Sequence, residues 1–133
     1  MNKYDYKLEY IDFLKVTHKL YAQEETILKN LKSENIGDTS ESLRRNIQIY
    51  HNNISEAFSR FHTINPPVEL EKLHNLTLQW LSLKVQSCDY LKKVIFENDI
   101  YTFKRIFEQW SNISDKSEEA RIRAMAEVDK VLK

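Results

Sequence analysis

The stretch LRRNIQIYHNNISEAFSRFHTI, residues 43–64, decides the fold class. Its apolar members Leu43, Ile47, Tyr50, Ile54, Ala57, Phe61 and Ile64 alternate steps of four and three, and Phe58 widens the stripe. That spacing keeps side chains on one face of an α-helix, whereas a half-buried strand alternates every second residue. A sustained seam of this kind packs helices at a shallow angle, as in left-handed bundles.

The same period continues on both sides of this segment. Upstream, Tyr10, Phe13, Leu14, Leu20, Tyr21, Ile27, Leu28 and Leu31 form a stripe, with Thr17 and Glu24 as polar interruptions on it. Downstream, Leu70, Leu73, Leu76, Trp80, Leu83, Leu91 and Val94 form a third, with Thr77, Ser87 and Cys88 filling the remaining inward positions. A fourth reads Phe103, Ile106, Phe107, Trp110, Ile113, Ala120, Ala124, Val128 and Val131.

Punctuation separates the four. The chain of 133 residues holds one Gly and two Pro, where average usage supplies roughly nine and seven. Gly37 falls just past the first stripe, where a positive φ costs glycine least. Asp38 reads as an N-cap with Glu41 as the second half of a capping box. Pro66 and Pro67 suit the first turn of the third helix, with Asn65 as its cap. Asn98-Asp99 marks the last boundary without glycine or proline, so a continuous third-plus-fourth helix is the competing count. The expectation is an all-α, antiparallel up-down-up-down four-helix bundle in one domain, 1–133, with helices at 6–33, 38–64, 66–97 and 99–132. Helices of matched length joined by short connections favour antiparallel neighbours.

Charge excludes rather than suggests. Twenty basic residues balance twenty acidic ones, and residues 1–36, 37–64, 65–97 and 98–133 carry six, three, four and seven of each sign. A nucleic-acid binder shows a basic face and a membrane-surface helix a basic flank, so neither partner is expected. No apolar run approaches the roughly twenty residues that span a bilayer. The N-terminal residues lack a secretory signal's apolar stretch, so the expectation is cytoplasmic. The alternative is an extracytoplasmic protein with a trimmed signal or lipid anchor.

Few residues carry chemistry. Cys88 is the only cysteine, which excludes an intrachain disulfide and reads as buried packing. Glu71-x-x-His74 has the spacing of one half of a di-iron site, but Lys15, Gln48 and Ser59 stand where a second Glu would precede His18, His51 or His62. Glu71 and His74 are therefore weak metal candidates, and His74 is expected to be an ordinary, partly exposed histidine. Glu24, inward on the first stripe, is the candidate buried charge, paired with a base from another helix or open to solvent. Tyr4, Tyr6 and Tyr10 are either a recognition surface or a cover for the open end of the bundle. One glycine cannot make a phosphate loop, so no enzyme and no cofactor are expected.

Asn65-Pro66-Pro67-Val68-Glu69 through Trp110, with His74 and the Asn98-Asp99 break, resembles a pattern in small bacterial helical-bundle proteins of unknown function. Many of these look like lipid-anchored extracytoplasmic domains. The resemblance implies a bundle and transfers no functional residue. Three functions follow as expectations: an interaction protein with an unidentified protein partner, a self-associating structural unit, or a bundle binding a small ligand or metal near Glu71, His74 or Glu24.

Overall fold

Apolar stripes at helical spacing, with so few breakers between them, fold as four α-helices. In the computed structural model, which describes residues 1–33, 41–94 and 99–133, these are α1 (Lys3–Ser33), α2 (Glu41–His62), α3 (Glu71–Val94) and α4 (Ile100–Val131). A 3-10 turn, Val68–Leu70, leads into α3, and there is no strand among the described residues. Each helix packs on its neighbours in the chain. The start of α1 meets the end of α2 (Tyr6 and Phe61 rings, 6.5 Å), and the start of α3 meets the end of α4 (Lys72 to Glu127, 3.5 Å). Neighbours therefore run antiparallel, and α4 folds back along α3, which excludes the continuous helix.

Helix ends show where local chemistry was and was not readable. α1 begins three residues earlier than expected because Asn2 caps it: Asn2 Oδ1 accepts from the Asp5 N–H at 2.8 Å. Asp99 caps α4, its carboxylate accepting from the Thr102 N–H at 3.1 Å and the Thr102 hydroxyl at 2.7 Å. The two prolines act differently from expectation. Pro67 is extended (φ −64°, ψ 155°) and makes no side-chain cap; the Leu70 N–H donates to its carbonyl at 2.9 Å. A residue before proline is driven out of the α region, so Pro66 cannot open a helix, and α3 starts only at Glu71. Gly37, Asp38, Glu97 and Asn98 lie outside the described residues, and with them the expected glycine stop and the Asp38–Glu41 capping box.

The stripe of residues 43–61 is buried throughout, from Leu43 to Phe61. Around it the core divides lengthwise. Toward the start of α1, Tyr6, Tyr10, Phe13, Phe61, Trp80 and Leu73 pack with Ala120, Ala124 and Val128 of α4. Rings there meet edge-on, as Phe13 does with Trp80 at 5.6 Å and Tyr10 with Phe61 at 5.8 Å, which suits their quadrupoles. Toward the other end, Leu20, Ile27, Ile47, Ile54, Leu91 and Val94 pack against Phe103, Ile106, Phe107 and Trp110, which are only half-buried.

The α3–α4 pair is the closest-packed in the bundle. Ser117, Ala120 and Ala124 face α3 with almost no exposure, and the Ser117 hydroxyl lies 3.4 Å from the Trp80 carbonyl. Small side chains allow that approach of backbones. α4 runs unbroken through Ser114–Ser117, as its continuous phase implied.

Candidate functional site

Two polar groupings lie inside the bundle. The first joins three helices. Glu24 of α1, on stripe between Leu20 and Ile27, accepts a hydrogen bond from the Tyr50 hydroxyl of α2. The same carboxylate oxygen pairs with the Lys84 ammonium of α3. Both charged side chains are largely buried, Lys84 to 10% exposure and Glu24 to 14%. The ammonium also lies 4.7 Å from the centre of the Tyr21 ring, a cation–π contact. Tyr21 in turn accepts from the Trp80 indole N–H at 2.9 Å. Burial pushes the Tyr21 hydroxyl up to about 12. Burial first, and then the Glu24 charge, raise Tyr50 far above the usual tyrosine range. Both phenols therefore stay neutral, Tyr50 as donor to the carboxylate.

Glu24 thus takes the paired form of the two expected for it. Its partner was legible too. Lys84 stands four residues after Trp80 and three before Ser87, in phase with the α3 stripe. A lysine on an apolar stripe, opposite a glutamate on another, is a signal of pairing that inspection of helices one at a time misses.

The second grouping is neutral. His74 is buried to 4% exposure, which corrects the expectation of a partly exposed side chain. It stacks on Phe61 at 4.5 Å, and its Nδ1 lies 3.0 Å from the Tyr6 hydroxyl. Beside it the Tyr10 and Thr77 hydroxyls share a hydrogen bond of 2.8 Å. Burial, and secondarily nearby His62, lowers the pKa of His74, so the ring is held neutral. Burial likewise raises Tyr10 to about 12. Glu71 is exposed one turn away, and the His74 ring nitrogen facing inward is already used. The pair does not converge on a metal, and no cluster of three His, Cys, Asp or Glu suited to one exists among the described residues.

The tyrosine segment also divides. Tyr6 and Tyr10 are core residues at 0% and 1% exposure, and Tyr4 alone is exposed, at 68%. Of the two readings expected for this segment, Tyr6 and Tyr10 take that of a cover, because they fall on the inward stripe and close the end of the bundle, which removes both from any surface and leaves Tyr4 outside. Cys88 is buried and free; burial pushes its thiol up to about 12, which removes the thiolate that reactivity needs.

The outer side of α1 and α2 is different in kind. Three depressions follow one another along the seam between these helices, of about 390, 210 and 310 Å³. The first two share Val16, Ala57 and Arg60, and Gln23 joins the second to the third. No described helix is long and apolar enough to cross a membrane. No family model matches this chain, nor does any curated protein or solved structure.

Proposed function

We propose that this chain is a non-enzymatic interaction protein that contacts a protein partner through the outward face of α1. One observation carries the reading: α1 has two apolar stripes. Tyr6, Tyr10 and Phe13 face the core, while Tyr4, Leu8 and Ile11 repeat the same four-and-three spacing at 68%, 46% and 41% exposure. At 3.6 residues per turn the second set lies across the helix from the first. A bundle helix needs one apolar stripe to fold, and contiguous exposed apolar side chains mark contact with something else. The interior groupings support the same reading, since Glu24, Tyr50 and Lys84, and likewise Tyr6 with His74 and Tyr10 with Thr77, are engaged with one another.

The experiment is native co-purification with wild-type protein and with Leu8→Asp/Ile11→Asp. The variant is expected to keep wild-type helicity and lose a specific partner that the wild type retains. Equal recovery from both proteins, or none from either, refutes the reading. A wild-type dimer in light scattering that these substitutions dissociate would assign the face to a second copy instead.

A further inference from the structure

The seam between α1 and α2 makes a stronger commitment about the occupant, resting on the interaction reading above. Its three depressions run in line, crossed once where the Asn53 amide donates to Gln23 Oε1 at 3.4 Å, and the floor of this trough is apolar at both ends: Phe13, Val16, Ala57 and Phe61 at one, Ile27 and Ile49 at the other. Val16 and Ile49 remain 39% and 46% exposed. From Glu9 to Ile27 the α1 wall extends about 27 Å at 1.5 Å per residue. That is the length of a five-turn helix.

The walls are charged in a pattern. Along α1, Glu9 and Asp12 come first and Lys19 follows; along α2, Arg60 comes first and Glu56 follows. Each wall changes sign, in opposite order, and the far end lined by Ala22, Gln23, Thr26 and Asn46 is uncharged. All five charged residues are exposed, and none belongs to an ion pair among the described residues. Asp12 and Arg60, on facing walls of one depression, do not pair across it.

We propose that the trough seats an amphipathic helix of a partner protein whose two flanks carry the complementary order of charges. Its apolar stripe covers Val16, Ala57 and Ile49, in the helix-in-groove mode. Its flank toward α1 carries a basic residue against Glu9 and Asp12 and an acidic one about two turns on, against Lys19. Its flank toward α2 carries an acidic residue against Arg60 and a basic one a turn away, against Glu56. Such patterning sets orientation and rejects wrong partners more than it raises affinity.

The test uses two labelled synthetic helical peptides of twenty residues with the same leucine stripe and the same composition. One has the flank charges in the complementary order; in the other they are exchanged. Fluorescence anisotropy with the full chain is expected to show at least tenfold tighter binding of the complementary peptide. Asp12→Lys/Lys19→Glu in the protein is expected to narrow the preference, since Glu9, Arg60 and Glu56 still favour the original order, and Val16→Asp/Ile49→Asp to abolish binding of both. Equal affinities, no binding, or binding indifferent to Val16→Asp/Ile49→Asp overturns the proposal. So does a dimer of the full chain that Ile49→Asp dissociates, since a second copy then fills the trough. If the peptides fail while a partner is still lost with Leu8→Asp/Ile11→Asp, the interaction reading stands and the helical occupant falls.

Discussion

The two halves of the bundle solve the same packing problem with different residues. α3 and α4 approach closely through Ser117, Ala120 and Ala124, whose small side chains bring the backbones together. α1 and α2 are held by large ones, with Phe13 and Phe61 rings 4.6 Å apart and Leu20, Ile27, Leu43 and Ile47 further along. Large side chains hold axes apart and leave an open furrow on the solvent side; small ones close it. The wide pair keeps a groove, and its first helix keeps a second apolar stripe. The Glu24–Lys84–Tyr50 grouping is the charged one of several ties between the two pairs, and it takes one side chain from each of α1, α2 and α3.

Breaking that tie gives the largest expected effect. Lys84→Met leaves Glu24 buried without its cation, and denaturant unfolding should show a loss of about 3–5 kcal/mol. Replacing both members, Glu24→Leu/Lys84→Met, should restore stability to near or above wild type, since the pair's desolvation is removed with it. If the single and double variants are equally destabilised, the two side chains act by packing and not as a pair.

The contrast between tight and wide pairs sharpens with one substitution made on both sides. Ala124→Leu overpacks the α3–α4 contact and should cost about 1–3 kcal/mol. Ala57 is buried but borders the trough, so Ala57→Leu can extend partly into it and should cost less than Ala124→Leu, under about 1 kcal/mol. Equal costs for the two would show that the α1–α2 furrow is packed as tightly as its counterpart.

The smallest effect concerns the neutral grouping that closes the bundle end. Tyr6→Phe removes the partner of His74 Nδ1 and should cost about 1 kcal/mol. His74 has a folded pKa below its unfolded value of 6.5, so the unfolded chain binds its proton first. The stability due to neutral His74 is full above pH 6.5 and declines as pH falls from there toward the lowered folded value. His74→Gln should lack that part of the acid-side decline in unfolding titrations. An unchanged profile would place the ring in contact with water.

Much of this is legible in the sequence. The stripe from Leu43 to Phe61 is buried at each of its core positions because a four-and-three spacing has one way to face a neighbour. The inward small residues Thr77, Ser87 and Cys88 were legible for the same reason. The burial of His74 is not legible, because a lone histidine near an acid suggests a ligand or a rim residue. Its burial depends on Tyr6 arriving from another helix. Tyr4, Tyr6 and Tyr10 are neighbours in sequence, but helical phase puts Tyr4 on the face opposite the other two.

What the sequence alone determined is the all-α class and most of the inward faces, since local period and scarce breakers are properties of one chain segment at a time; that the third and fourth stripes are separate, antiparallel helices was decided by α4 packing back on α3. Tertiary structure alone decided which inward polar groups meet, that α3 and α4 close while α1 and α2 stay apart, and that the open seam bears a charge pattern. Those features depend on distances between helices, which no spacing along a single helix contains.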